Sequence, residues 1–370
     1  MTAPTMPDAD ILETVGHIWN IPYQPCGCPQ CGQVLLVKTE SIGKNCPNCG
    51  RSKLIPQPAL LRSEPPELVI PYQIQQANLA SIYAGFTKGI WLHSDDFEVD
   101  KLLSNTTAVY WPMWLLDSDV SGDWQSEAGF DYQVETSHDI FTNSNWESQK
   151  VLENRIRWEP RVGQMKRHYD NIALQATTDY QKLLNLTGNY QLHYAIPFNP
   201  SFLKDSDIRV PDIQPENVWP TAKPALDKIV LEDCRKAADA HFLRNFTLHA
   251  SYGSCNWTQL LFPVFITFYT DDAGNPQFIY VNGQTGKIGG PRLASQKKGW
   301  KSAAITAAVA ISLLILALIF FGLAALLPLF SAFGVVLIVA AFITGLFAII
   351  PAVWPWQWNR QQQDQKIISS

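Results

Sequence analysis

Two cysteine pairs near the N-terminus have the residue type and spacing of a metal site. They read Cys28-Pro-Gln-Cys31-Gly and Cys46-Pro-Asn-Cys49-Gly, with 14 residues between the pairs. In such knuckles a tight turn carries both thiolates, and the glycine supplies the positive φ that lets backbone amides point at sulfur. The sequence therefore predicts a tetrahedral four-cysteine site that holds Zn²⁺ through Cys28, Cys31, Cys46 and Cys49.

The predicted role of this metal is structural. Four thiolates leave no coordination position for water, and metal binding releases about 10–16 kcal/mol in modules too small to build their own core. Rubredoxin-type iron is the alternative occupant. Cys26 is a spare thiol beside the site, which we interpret as a bystander, with an extra ligand or a redox sensor as alternatives. Because Cys234 and Cys255 lie far away, the seven cysteines do not form a disulfide framework.

Other motifs that could bind a ligand or catalyse a reaction are incomplete. Gly283–Lys287 (GQTGK) resembles a phosphate-binding loop, but that pattern requires a glycine where Val281 stands. Asp117–Gly122 matches the first half of a calcium loop, yet Ala128 replaces the bidentate glutamate of the twelfth position. The histidines show no paired-ligand spacing, and no GxSxG elbow is present. No catalytic residue is visible, so we predict that the protein is not an enzyme.

A stretch without charged residues runs from Ser302 to Asn359. Its two apolar runs, Ala303–Leu327 and Ala332–Val353, are each long enough to cross the roughly 30 Å hydrocarbon core as a helix. The tryptophans that follow are typical of an interfacial aromatic belt (Trp354, Trp356, Trp358). We predict a transmembrane hairpin over 303–353. A re-entrant hairpin and a hairpin buried in a soluble core are the alternatives.

The charges that flank this hairpin predict its orientation. Lys297, Lys298 and Lys301 precede the first helix, whereas Arg360 and Lys366 follow the second. Cationic flanks stay in the cytoplasm, and the N-terminus lacks the features of a secretory signal. The expected location is the inner (cytoplasmic) membrane, as a multi-pass protein with both termini cytoplasmic.

Periodicity and turn residues divide the chain into six segments. We predict an N-terminal tail (1–22), a four-cysteine zinc ribbon (23–53), a proline-rich linker (54–71), a cytoplasmic α+β body (72–300), the transmembrane hairpin (303–353) and a cytoplasmic tail (354–370). In the body we expect helices over 72–91 and 224–242, each followed by antiparallel strands, from residues 107 and 258. The first strand should break at the turn residues of Asp117–Gly122, and a turn at 271–275 should join the later strands. The similarity of these two series suggests a duplication, with units 72–190 and 191–300.

The segments Val109–Trp124, Ile196–Leu203 and Val281–Lys287, together with the cysteine knuckles, resemble bacterial membrane proteins that carry an N-terminal zinc ribbon of the TFIIB type. This sequence departs from many of them in Phe265–Phe268, where relatives carry tryptophan and basic residues. The resemblance implies a membrane-bound adaptor with an expected role in envelope stress, and it implies no settled activity.

The charge of the sequence indicates which class of partner the protein can bind. A net charge of −5 and a pI near 5.8 disfavour nucleic acid, and only Lys38 and Lys44 are basic between the knuckles. The one basic run, Arg155–His168, is interpreted as a solvated face, with contact to anionic lipid as the alternative. We therefore expect a non-enzymatic, membrane-anchored adaptor that docks a protein partner. A membrane-tethered nucleic-acid-binding protein and a component of an enzyme or transporter complex are the alternatives, and homo-oligomerisation is left open.

Overall fold

The computed structural model describes residues 9–12, 19, 21–57, 59–62, 64–142, 145–203, 206–324 and 327–369. The strands are β1 (Ala9–Leu12), β2 (Tyr23–Gly27), β3 (Val34–Lys38), β4 (Ile55–Pro56), β5 (Ala59–Arg62), β6 (Leu68–Val69), β7 (Thr107–Thr142), β8 (Asn145–Gln175), β9 (Ile196–Pro197), β10 (Asp207–Arg209), β11 (Phe242–Thr270), β12 (Pro276–Asn282) and β13 (Ile288–Gly289). The helices are α1 (Leu79–Thr87), α2 (Val99–Ser104), α3 (Tyr180–Thr187), α4 (Pro215–Ala237), α5 (Gln296–Leu323), α6 (Leu329–Phe347) and α7 (Ile349–Ser369).

One mixed sheet contains both the cysteine strands and the body strands. Its main path runs β13-β12-β11-β7-β10-β3-β2-β4, with the pair β1-β5 forming a separate small sheet. The short strand β10 makes the connection, because Ile208 pairs antiparallel with Leu36 of β3 and parallel with Tyr110 of β7. The predicted mixture of sheet and helices is confirmed. The cysteine unit (residues 21–57) is nevertheless an edge of the body sheet and not a module separated from it by a linker.

The predicted proline-rich linker, 54–71, takes part in this sheet. Its strand β6 pairs in parallel with β11 at Leu260 and antiparallel with β9. Val69 and Ile70 are fully buried. The interpretation of this segment as a spacer is therefore wrong, since the apolar triplet Leu68–Ile70 buries more surface in the sheet than an extended linker could.

The long strands β7, β8 and β11 differ from the prediction of short ones. The expected break at Asp117–Gly122 does not occur: β7 passes through it with a bulge between Leu116 and Ser118, and it pairs on both sides. Trp114 and Val120 are buried under α4, and Ser118 is buried on the same face, whereas Asp119 and Ser121 on the other face are exposed. Alternation in burial thus overrides turn propensity here.

Two predicted helices and one predicted strand have other boundaries in the structure. The helix expected over 72–91 begins only at Leu79, and the helix expected over 224–242 is α4, which starts at Pro215 and ends at Ala237. The strand expected from residue 258 begins at Phe242, whereas the predicted turn at 271–275 does join β11 to β12. The proposed duplication stays a prediction.

Two C-terminal segments are long and apolar enough to cross a membrane. They are Gln296–Leu323 and Leu329–Gln362. In each, an 18-residue apolar stretch has a mean hydropathy of 2.8, and only 11% of this stretch in the first segment and 17% in the second is buried. Small residues lie where the two segments contact each other; a Cβ on Gly334 would stand 2.9 Å from the ring of Phe321. Close approach of this kind suits helices in lipid, where burial of apolar side chains gives no driving force.

The end of the second segment docks on the body. Trp358 Nε1 donates to the carbonyl oxygen of Arg292 over 2.7 Å, and Asn359 exchanges two hydrogen bonds with the backbone of Ala294. Trp354 stacks on Trp358 with ring centroids 5.4 Å apart. Two of the three tryptophans of the predicted aromatic belt therefore pack on the body. The predicted tail is a continuation of helix α7 as far as the structure describes it.

Candidate metal centre

Four cysteine sulfurs form the candidate site at the edge of the sheet. Their Sγ atoms all lie within 4.8 Å of one another, with 3.4 Å between Cys28 and Cys49 and 3.8 Å between Cys31 and Cys46. A regular tetrahedron with metal–sulfur bonds of about 2.3 Å has edges of about 3.8 Å. The four cysteines singled out by their spacing are therefore brought together at distances that suit one metal ion.

The two knuckles have the same backbone geometry. Gly32 N donates to Cys28 O, and Gly50 N donates to Cys46 O, both over 2.8 Å. The two glycines have φ values of +70° and +63°, a region that a residue with a Cβ adopts only at a cost. These turns hold each pair of sulfurs on one side of the chain, so the local sequence accounts for the geometry of the site.

The thiols differ in their electrostatic surroundings. Desolvation raises the pKa of Cys28, but hydrogen bonds from the backbone of Cys31 and Gln30, together with those from the Cys49 and Cys31 thiols, bring that pKa down to about 7. Burial raises the pKa of Cys46 and of Cys49. Four thiolates at these distances repel one another, so a bound cation is what makes the fully deprotonated set stable at neutral pH.

Cys26 lies outside this cluster. Its thiol is fully buried in the apolar core of the sheet, and Cys26 pairs with Leu35 across β2 and β3. Burial, followed by the charge of Asp207, raises its pKa. A protonated thiol packed among apolar side chains has low reactivity, and this environment supports its interpretation as a bystander.

Arg209 is a functional candidate that sequence reasoning missed. It lies on β10, is only 2% exposed, and places Nη1 2.7 Å from the carboxylate of Asp179 and Nη2 3.0 Å from that of Asp212. Its guanidinium also stacks 4.1 Å from the ring of Trp111. The junction between the cysteine unit and the body therefore contains a buried, paired cation. A lone arginine in the sequence Asp-Ile-Arg-Val gives no pattern that could have revealed this role.

Three clefts lie along this junction. One of about 810 Å³ is lined by Asn48 of the second knuckle and by Trp111 and Phe278 of the body, and one of about 620 Å³ by Cys31 and Thr178. The third, of about 520 Å³, is lined by Lys44, Tyr110 and Asp207, among others.

Asp207 in the third cleft is a buried carboxylate. It is 8% exposed, and no hydrogen bond to its carboxylate occurs among the described residues. Burial raises the pKa of Asp207 to about 6, although Lys44 and Lys38 act in the opposite direction.

The incomplete motifs have structural roles. The carboxamide oxygen of Asn282 accepts from the backbone amides of Gln284 and Thr285, so these amides of the GQTGK segment close a turn and are not free to bind phosphate. Asp117 and Asp119 lie on strand β7, where Asp117 accepts from Asn171 N and Asp119 contacts His168. The segment that resembles half a calcium loop is therefore an extended strand.

No protein-family model matches this sequence, and no curated protein and no solved structure matches it either. Within the part of the chain that the structure describes, the four cysteines are the one group of three or more histidine, cysteine or acidic residues placed to hold a metal ion.

Proposed function

We propose that this chain is a non-enzymatic, membrane-anchored scaffold, in which a structural Zn²⁺ site stabilises one edge of the sheet and the junction beside it docks a cytoplasmic protein partner. The observation that carries this proposal is the continuity of the sheet. The cysteine strands join the body through β10, and the body contacts the end of the second apolar helical segment through Arg292 and Ala294.

Zinc is the metal we propose for the site. The ion prefers tetrahedral coordination, and four thiolates close its coordination sphere, so it would stabilise the knuckles of a zinc ribbon and supply no Lewis acid to a substrate. The hairpin of β2 and β3 with the short β4 beside it supports the ribbon fold. Iron fits the same tetrahedron, so elemental analysis has to distinguish the two metals.

The two apolar segments would anchor the scaffold in the inner membrane. Leu314, Val336 and Phe342 are among the many large apolar side chains that they leave exposed, as lipid-facing positions would be. Lys297, Lys298 and Lys301 in the first turns of α5, before its apolar run, and Arg360 after the second apolar run favour a cytoplasmic location for both ends. The resemblance to membrane proteins with TFIIB-type ribbons supports the same arrangement and a role in envelope stress.

The clefts at the junction favour a protein as the partner. The 810 Å³ cleft combines the rings of Trp111, Phe278 and Tyr280 with uncharged polar groups and with the charges of Asp179 and Lys182, a composition suited to peptide segments. Residues of both the cysteine unit and the body line this cleft and the 620 Å³ cleft. The acidic net charge of −5 disfavours nucleic acid.

Site-specific photocrosslinking in intact cells tests this proposal. A photoreactive amino acid at Asn185, an exposed residue of the 810 Å³ cleft, should capture a discrete protein, whereas the same group at exposed Asp100 on α2 should not. The crosslink should disappear in a Cys46→Ser background, because loss of the metal site disorders one wall of the cleft. Equal crosslinking at both positions, or capture of nucleic acid at Asn185, would contradict the proposal.

A further inference from the structure

Strand β8 presents a long free edge. Within the described part of the chain it pairs with β7 alone. Beyond Gly129, β7 also loses its pairing with β11, so residues 130–142 and 145–157 form a two-stranded finger. An isolated two-stranded hairpin is marginally stable in water, and an open edge is a template for another strand.

One face of this strand carries four large, exposed apolar side chains. Trp146 is 72% exposed, Leu152 65% and Val162 78%, and Ile156 is exposed as well. All four are even-numbered residues of one strand, so they lie on the same face. Soluble proteins seldom leave such a row uncovered beside an open edge.

The other face of the strand carries charges of both signs. Glu153, Arg155, Arg157, Glu159 and Arg161 follow one another at odd positions, and Arg155–Glu153 and Arg157–Glu159 form exposed ion pairs of 3.1 and 3.0 Å. The basic run of the sequence is therefore interleaved with acidic partners. This makes the strand a poor ligand for anionic lipid and a candidate to pair with a second strand that carries charges of both signs.

We propose that the occupant of this edge is β8 of a second copy of the chain, paired antiparallel about a two-fold axis at Asn154. In this register Glu153 lies opposite Arg155 of the partner copy on both sides of the axis. On the apolar face Leu152 lies opposite Ile156, and Trp146 lies opposite Val162. Each pair is favourable, because directly opposite residues share a face with Cβ atoms about 5 Å apart.

Like charges exclude most of the neighbouring registers. A two-fold centre at 153, 155, 157 or 159 places an identical charged residue opposite itself. A centre at 156 sets Glu153 opposite Glu159, and one at 158 sets Arg155 opposite Arg161. Like charges directly opposite each other are destabilising, so of the centres from 153 to 159 only Asn154 avoids the penalty.

A centre at 152 avoids like charges but sets Glu153 opposite Val151, so it lacks the Glu153–Arg155 pairs. A centre at 160 also avoids them but sets Pro160, which has no amide donor for the ladder, opposite itself. The product of the Asn154 register is a four-stranded ribbon built from two fingers, in which the open β8 edge of each copy is paired.

Disulfide trapping of the full-length protein in detergent tests the register, and detergent removes any constraint of the bilayer on how two chains face each other. Asn154→Cys places two thiols opposite each other at a Cα separation of about 4.5–5.5 Å, within disulfide range. Ser148→Cys is the matched control on the same face, where the two copies of the residue lie about 40 Å apart. We expect the first variant to form a covalent dimer and the second to remain monomeric under mild oxidation. Equal crosslinking of the two variants, or none in either, would overturn the proposal.

Charge exchange gives a second, non-covalent test. Glu153→Arg sets arginines opposite each other on both sides of the axis, and Arg155→Glu sets glutamates there, so each should reduce dimer affinity about tenfold or more. The double exchange Glu153→Arg/Arg155→Glu restores opposite charges and should restore the dimer. The mass of the protein in the detergent complex, from light scattering, is the readout, and unchanged metal content shows that each variant is folded. A dimer indifferent to the single changes, or a wild-type monomer at all concentrations, would refute this interface.

Discussion

A buried cation holds the junction between the cysteine unit and the body. Arg209 is surrounded by Asp179, Asp212 and the ring of Trp111. Removing one partner of a buried ion pair leaves the other charges without compensation, which costs more than the pair itself contributes.

Arg209→Met tests this role. The substitution keeps much of the apolar volume but leaves two carboxylates unpaired, so we expect the free energy of unfolding to fall by about 3–5 kcal/mol. Thermal unfolding of the purified protein in detergent measures the change. Arg235→Met is the control, because Arg235 pairs with Glu232 on the exposed side of α4 and should change stability by less than about 0.5 kcal/mol. Similar losses in both variants would argue against a special role for Arg209.

Asp207 makes stability depend on pH. Its folded pKa of about 6 lies above the ordinary value of 3.8, so the folded state binds the proton more tightly than the unfolded state. The corresponding stabilisation is complete below pH 3.8 and is lost as pH rises through 6. Above that pH the buried carboxylate, near Lys44, Lys38 and the Cys26 thiol, costs at most about 3 kcal/mol.

Asp207→Asn should therefore stabilise the protein at pH 7 and leave it nearly unchanged at pH 4. The difference in melting temperature between variant and wild type, followed across this range, reports the effect, and any loss of metal at low pH affects both proteins alike. Asp100→Asn, at an exposed position, serves as the control. A variant that is less stable than wild type at pH 7 would show that the carboxylate makes a favourable contact.

Among the elements, the contact between α7 and the body connects the apolar helices to the sheet. Trp358 donates to Arg292 and stacks on Trp354, whereas Trp356 remains 55% exposed two residues away. Trp358→Ala should loosen residues 291–296, seen as at least a tenfold increase in amide hydrogen exchange there, because it removes a hydrogen bond and a stacked ring. Trp356→Ala should have no such effect. If both variants exchange like wild type, the contact does not stabilise the body.

The orientation of the helices is a separate prediction. With both ends in the cytoplasm, Ser331→Cys near the start of α6 should react with an impermeant maleimide added to intact cells, and Ser369→Cys should not. The reverse pattern would invert the topology, and labelling of neither position would indicate a re-entrant hairpin.

Local patterns predicted some of these elements and not others. The knuckle glycines and the apolar helices follow from spacing, positive φ and length, which are properties of short segments. The full extent of β7 could not be predicted, because Asp117–Gly122 has turn composition and only pairing with β8 and β11 keeps it extended. Tryptophans that follow an apolar helix, such as Trp354 and Trp358, are typical of a membrane interface. Contacts with residues more than 60 positions away nevertheless bring both side chains onto the body.

At the scale of the whole molecule, the continuous sheet is the feature that no single segment reveals. Strand β10 has three residues, and it joins partners near positions 36 and 110 that are remote in sequence. The cysteine site therefore stabilises one edge of the sheet, and the other strands of that sheet lie against the helical segments. Metal binding should stabilise β3 and β10 together, and any effect on the body should pass through Arg209 and its partners.

The metal content of the purified full-length protein is the measurement that tests this view most directly. Elemental analysis should find one zinc and no iron per chain, and Cys28→Ser or Cys46→Ser should lose that zinc, because each removes a thiolate from a closed tetrahedral set. Cys255→Ser, outside the cluster and partly exposed, should retain it. A chain without metal, or one whose metal content is unchanged in Cys28→Ser and Cys46→Ser, would contradict the proposed zinc site and the scaffold built on it.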